Sequence, residues 1–333
     1  MILVTGGTGL VGSHLLYHLL QSENSVKAIH QKTSDIAAVK KVFSYYTTNY
    51  ETLFNKIIWL VAELNDVPAL EIAFKDVTSV YHCAAFVSFN PADYKKMRRI
   101  NIDGTTNIVN LCISNPIKKL CFVSSIAAVE KNIKNEIIDE SESWNNEAEK
   151  SGYAITKYGA EMEVWRASQE GVDVVIVNPG VILGSGFWHK GSSNLFTKIK
   201  NGFNYYTEGV TGFIGVKDVV QIMQKLMQST IKNERYILVA ENVSFKTLFY
   251  QIADSLNKNR PKIKVTSFLS EFVWRLDWIK SKVTGKISLI TKNSAKSSQS
   301  KYYFSSKKIE TSLPYKFEKI ESVIQNIGDN FNK

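Results

Sequence analysis

Short, continuous apolar runs recur along most of the chain, each ending in small or polar residues. Ile2-Leu3-Val4 comes first, followed by Val26-Lys27-Ala28-Ile29, Ile57-Ile58-Trp59-Leu60-Val61 and Ser79-Val80-Tyr81-His82-Cys83. Leu120-Cys121-Phe122-Val123, Asp173-Val174-Val175-Ile176-Val177 and Arg235-Tyr236-Ile237-Leu238-Val239 complete the series. Runs of this length read as strands buried on both faces, which is the habit of a parallel sheet covered by helices. A helix is predicted to begin near Ser13-His14-Leu15-Leu16, another over 101–109, and a third around Tyr153 to Ala167. The pattern predicts an α/β fold.

The first strand runs into Thr5-Gly6-Gly7-Thr8-Gly9-Leu10-Val11-Gly12 and then a helix. Strand before and helix after is the setting in which such a loop binds a dinucleotide. Gly6 would permit the tight turn, Gly9 the approach of a pyrophosphate to the backbone, and Gly12 close packing of helix on strand, with Leu10 and Val11 offering N–H groups at the helix start. The adenosine ribose should then be read after the second strand, at His30-Gln31-Lys32-Thr33-Ser34, where no acidic residue stands at the strand tip. A 2′-phosphate wants a cation and hydroxyls, so Lys32 favours NADP, with NAD the alternative because Asp35 is close. Glu63 and Leu64, after the third strand, suit the adenine. Ala84 and Ala85, after the fourth, would let the cofactor lie close. Asn178-Pro179-Gly180-Val181 turns the chain over the nicotinamide end, which brings in Pro179 and Val181.

Tyr153 and Lys157 lie one helical turn apart on one face, so an ammonium can sit beside a phenol. A free phenol titrates near 10, and moving it about 3 units toward neutrality takes roughly 4 kcal/mol of preferential stabilisation of the phenolate. Tyr153 could then exchange a proton with a substrate oxygen while a serine at the end of the fifth strand holds that oxygen. Ser125 is the expected residue and Ser124 its rival.

With 333 residues, 44% hydrophobic, the chain is long enough for one large α/β domain and a smaller appended one. The division is expected at 1–180 and 181–333, with a strand near 235–240 returning to the first sheet. The three cysteines, Cys83, Cys112 and Cys121, lack metal-ligand spacing and read as reduced core residues of a cytoplasmic protein; no metal is expected. The first strand begins at Met1, which argues against a signal peptide, and no apolar run reaches about 18 residues. The net charge of +10 is spread over dispersed lysines, which reads as a solvated surface rather than a nucleic-acid site. The aromatic segment 268–279 and the basic stretch 280–308 could lie on an anionic membrane, line an apolar pocket or cap the second domain; membrane contact is not the favoured reading. Phe187, Trp188, His189 and Lys190 either contact substrate or anchor their loop, His82 reads as a core histidine, Asn101 as a polar helix residue or cap, and the Lys/Ser-rich stretch 292–301 as a loop.

The glycine loop at 5–12, Tyr81-His82-Cys83-Ala84-Ala85, Val123-Ser124-Ser125 and Tyr153-Ala154-Ile155-Thr156-Lys157 together resemble the extended short-chain dehydrogenase/reductase family, also called the NAD-dependent epimerase/dehydratase family. The resemblance spans residues 1 to about 240, more weakly onward through 302–308. It implies a Rossmann doubly wound parallel sheet with a smaller C-terminal substrate-binding domain. It places the catalytic serine on Ser125, the proton-transferring tyrosine on Tyr153, and on Lys157 the lysine that also grips the nicotinamide ribose. The family's dehydratases carry a Thr-Asp-Glu set where this chain has Ser124-Ser125-Ile126, so dehydration lacks its acid and base. Val129-Glu130-Lys131, where many epimerases have Tyr-Gly, is closer to the branch resembling dihydroflavonol reductases and 3β-hydroxysteroid dehydrogenases. Hydride transfer between NADP(H) or NAD(H) and a secondary alcohol or ketone of a small, fairly apolar molecule is therefore the leading reading. Nucleotide-sugar epimerisation with tightly held NAD is the runner-up, and a non-catalytic redox sensor a third class. Helix pairs of this family often dimerise, which makes the 101–112 and 153–167 helices candidate homodimer surfaces.

Overall fold

The computed structural model describes residues 1–129, 137–142, 144–267, 274–275 and 292–333. Seven strands form the central sheet: β1 (Ile2–Thr5), β2 (Val26–His30), β3 (Ile57–Val61), β4 (Ser79–His82), β5 (Lys119–Val123), β6 (Asp173–Pro179) and, after three strands that lie outside it, β10 (Glu234–Leu238). Their order is β10-β6-β5-β4-β1-β2-β3, with every pairing parallel. The chain winds outward from β1 in both directions, so the β1/β4 boundary is the switch point where such sheets bind ligands.

Alternate residues of each strand feed opposite cores. Val4, Cys121, Val175 and Val177 face α1 (Leu10–Leu19), α2 (Ile36–Ser44), the short α3 (Tyr50–Phe54) and α9 (Val216–Gln228); Leu3, Leu120, Phe122, Val174 and Ile176 face the other layer. That second layer holds α4 (Val67–Phe74), α6 (Gly104–Ser114) and α7 (Gly152–Gln169), with α5 (Tyr94–Arg98) and a π turn, Arg99–Asp103, leading into α6. The expected buried-strand reading holds because both faces are covered. Helix α1 starts at Leu10, earlier than expected, because Gly9 takes the extended backbone of an N-cap.

Past β6 lie β7 (Val181–Leu183), α8 (Asn194–Lys200), β8 (Tyr205–Tyr206), β9 (Val210–Gly215), α9 (Val216–Gln228), β11 (Glu241–Ser244) and α10 (Phe245–Ser255). Strands β11, β9 and β7 make a small sheet, and Leu183, Phe196, Phe213, Leu248, Ile252 and Ile324 form its core with the helix Ile320–Phe331. The stretch expected as a Lys/Ser-rich loop is instead helical over Lys292–Gln299. Its end packs so tightly that a Cβ on Gly209 would lie 2.3 Å from the Ser298 carbonyl oxygen, and Gln299 donates to the Val265 carbonyl at 2.8 Å. Docking, not composition, makes it a helix. The readings placed on Glu130-Lys131, on 268–273 and 276–279, and on 280–291 lie outside the described residues. Among the described residues, no helix is long and apolar enough to cross a membrane.

Candidate active site

The glycine loop closes on itself through Gly9 N–H to the Gly6 carbonyl at 2.9 Å. Gly6 is left-handed, φ +69°, and a Cβ there would lie 2.6 Å from the Ala84 nitrogen; one on Gly12 would lie 2.2 Å from the Gly6 oxygen. Neither position tolerates a side chain. Gly9 differs: its Cβ would meet only the Gly6 oxygen, at 3.4 Å, and would otherwise project into the open cradle. No side chain caps α1, so the N–H groups of Leu10 and Val11 stand at a bare helix N-terminus, and this backbone suits a pyrophosphate. Ala84 lies beside the loop and donates to Thr5 Oγ1 at 3.3 Å. Thr8 donates to Ser34 Oγ at 3.2 Å, which brings the loop against the segment after β2. Lys32 is exposed there, whereas Asp35 caps α2 by accepting from the Ala38 N–H at 3.0 Å. Glu63 is exposed and Leu64 turns inward against Gly104, while Ala85 is exposed, Pro179 ends β6 buried and Val181 opens β7 half-buried.

At the carboxyl edge of β5 the two serines part company. Ser124 is buried, its hydroxyl donating to Glu161 Oε2 at 2.6 Å. Ser125 accepts from the Ala127 N–H at 3.1 Å, and its hydroxyl pulls the Tyr153 phenol downward in pKa. Lys157 is buried beneath, donating to the Val123 carbonyl at 2.7 Å with its ammonium 4.3 Å from the Phe122 ring centre. The three residues expected from the sequence are thus brought to one edge. The expected lowering of the phenol is corrected: burial pushes Tyr153 above its ordinary value, against a downward pull from Ser125. Burial likewise lowers Lys157 to about 8, opposed by Glu161 and Cys83.

A family model described as male sterility protein, NAD-binding, matches residues 4–228, from β1 through α9. The chain belongs to that family. It is an enzyme of the extended short-chain dehydrogenase/reductase type, NAD(P)-binding. A Synechocystis sp. protein named as a dihydroflavonol 4-reductase is 28% identical, the match covering 93% of this chain and 89% of that one. An anthocyanidin reductase of Arabidopsis thaliana is 28% identical over 81% of this chain and 82% of its own. Among solved structures, a UDP-glucose 4-epimerase of Thermotoga maritima with UDP-glucose superposes with a TM-score of 0.78 at 18% identity, covering 99% of this chain and 98% of that one.

In this extended short-chain dehydrogenase/reductase, polar residues that the sequence reading gave bland roles brace the site. Asn101, in the π turn, donates to the Phe86 carbonyl at 3.0 Å and to Thr156 Oγ1 at 3.2 Å, and accepts from the Phe86 N–H at 2.7 Å. It fastens the loop after β4 to α7 between Tyr153 and Lys157. His82 is a satisfied core histidine as expected, 2.6 Å from Thr5 Oγ1 and 2.9 Å from Thr105 Oγ1, and burial holds its pKa at about 3. Trp188 anchors its loop, its ring 4.6 Å from Phe331 and 6.3 Å from both Tyr45 and Phe196, while His189 and Lys190 face outward. Beside the Tyr153 end of α7 a cavity of about 400 Å³ is lined by Phe89, Pro91, Tyr94, Met97, Lys150 and Ile155. The Phe89 ring lies 6.0 Å from that of Tyr153.

Proposed function

We propose that this enzyme reduces a ketone, or oxidises the matching secondary alcohol, of a small and fairly apolar molecule, with NADP(H) as the preferred partner. The observation that carries the reading is that Ser125 at the β5 edge acts on the Tyr153 phenol, while Lys157, one helical turn on, is buried beneath and donates to the Val123 carbonyl. When bound, the nicotinamide supplies or accepts the hydride. Backbone groups of Gly6, Gly9, Leu10, Val11 and Gly12 would hold the pyrophosphate, Lys32 the 2′-phosphate and Glu63 the adenosine end. Leu64, Ala84 and Ala85 would bound the cofactor along the sheet edge, and Pro179, Val181 and Lys157 its nicotinamide end. Lys32, Thr33 and Ser34 support NADP because Asp35 is already engaged as a helix cap.

A phenol pushed up by burial stays protonated at neutral pH, which suits it to give its proton to the oxygen of a carbonyl receiving hydride. Ser125 donates to the same oxygen and fixes its position. Charge left on Tyr153 is met from below by the Lys157 ammonium. Phe89 in the loop beside Tyr153, and the apolar cavity behind it, support an apolar substrate. The test is NADPH oxidation against a panel of aryl and alicyclic ketones. Turnover should be present in the parent and lost in Tyr153→Phe with NADPH affinity retained; equal turnover in the variant would refute the assignment.

A further inference from the structure

Behind Tyr153 and Lys157, the same helix carries a carboxylate with no exposed surface. Glu161 Oε2 accepts from Ser124 Oγ at 2.6 Å and from Asn178 Nδ2 at 2.9 Å, while Oε1 faces Arg235 Nη1 at 3.3 Å. Asn178 Nδ2 also donates to the Ser125 carbonyl at 3.0 Å. The two groups that share Oε2 are therefore both fastened to the turn that carries Ser125, one through the Ser124 side chain and one through the Ser125 main chain. Arg235 arrives from β10 and donates through Nη2 to the carbonyls of Glu140, at 2.6 Å, and Glu142, at 3.0 Å. One turn back along α7 is Lys157, whose ammonium is steadied by that carboxylate against the cost of burial.

A buried ion pair is a poor device for stability alone, since apolar residues of similar volume often serve as well. We propose that Glu161 is a positioning residue of the reaction: with Arg235 as its counter-ion, it keeps Lys157 charged and Ser125 in its seat. This rests on the roles given above to Tyr153, Ser125 and Lys157. Of the other ionisable groups felt by Lys157, His82 on β4 is held neutral and the Cys83 thiol is pushed up to about 12. The carboxylate thus faces no rival anion among them near neutral pH. Sequence spacing makes the pairing direct, because positions 157 and 161 share a helix face.

The experiment follows the [ε-13C]lysine signals of the full-length protein by NMR through pH 6 to 10, with Lys157 assigned by Lys157→Arg. Glu161→Gln preserves shape and can still accept from Ser124 and Asn178 but removes the charge. The Lys157 midpoint should fall by about one unit, so that its charged fraction at pH 8 drops roughly fivefold. Ser124→Ala, which keeps the charge, should leave the midpoint in place and lower kcat evenly across pH. An unmoved midpoint in Glu161→Gln overturns the proposal. So does a loss of ketone reduction in Glu161→Gln that is the same at every pH, since that is what a merely structural role gives; the proposal expects a loss that grows with rising pH. Should the lone Arg235 prevent folding, Glu161→Gln with Arg235→Gln removes both charges and gives the same reading. Tyr153→Phe, assayed for NADPH oxidation beside these variants, tests the catalytic assignment separately from the Lys157 midpoint.

Discussion

The two walls of the site are built from opposite materials. On the β1 side the cradle is main chain: three glycines, a bare helix N-terminus and the Ala84 edge of β4, with no ionisable side chain touching the loop's own hydrogen bonds. On the β5 side the wall is made of ionisable groups, the buried Lys157 and Glu161 and the half-buried Arg235, behind Tyr153. Sterics set the first wall and electrostatics the second. Damage to the cradle should therefore be abrupt and insensitive to pH, and damage to the ionic wall graded and pH-dependent.

The largest effect is expected at the ionic wall's tip. Tyr153→Phe removes the proton donor and should lower kcat by about 1,000-fold, within the range general acids contribute, while fluorescence titration shows NADPH binding unchanged. Next comes the cradle, where two substitutions separate fold from binding. Gly12→Ala drives a methyl into the Gly6 carbonyl and should cost about 3 kcal/mol of stability in urea unfolding, with NADPH affinity down about 100-fold. Gly9→Ala meets only ordinary contact, so it should lose NADPH affinity while its urea midpoint stays within error of the parent.

A smaller effect is expected from the histidines that link the walls to the rest of the fold. Burial holds His14 at about 4 and His82 at about 3, below the unfolded value near 6.5. Each lowered pKa gives stability that is whole above pH 6.5 and is lost as pH falls through the folded value. Going from pH 7 to pH 5 should cost about 2 kcal/mol per histidine, read as a falling thermal midpoint that His82→Asn partly flattens. The smallest effect is at the ribose: Lys32→Ala should weaken NADPH about tenfold and leave NADH unchanged by titration, and equal weakening of both would remove the NADP assignment.

What the sequence disclosed divides along the same line. The cradle was legible because sterics act locally: three glycines between an apolar strand and a helix leave few other structures. Ser125, Tyr153 and Lys157 were legible because strand end and helix face bring them to one edge. The charge behind them was not. Glu161 is one turn beyond Lys157, but its partner Arg235 is 74 residues away and meets it only because β10 returns beside β6. The choice between Ser124 and Ser125 had the same cause, since a buried partner decides which hydroxyl faces inward. Asn101 looked like an ordinary helix residue because the Phe86 main chain and Thr156 that it joins are brought together only by tertiary folding. Trp188, ambiguous in sequence, is fixed by Phe331 near the C-terminus.

Whether the enzyme is a reductase with exchanging NADP(H) is decided by cofactor stoichiometry and exchange. Purified protein is denatured and its extract assayed for nucleotide, and the native protein is titrated with NADPH, NADH and NAD by fluorescence. A reductase should retain little nucleotide and bind cofactor exchangeably, with clear preference for NADPH. One equivalent of NAD carried through purification and refractory to exchange would contradict that reading and mark the enzyme as one that returns hydride to its own substrate.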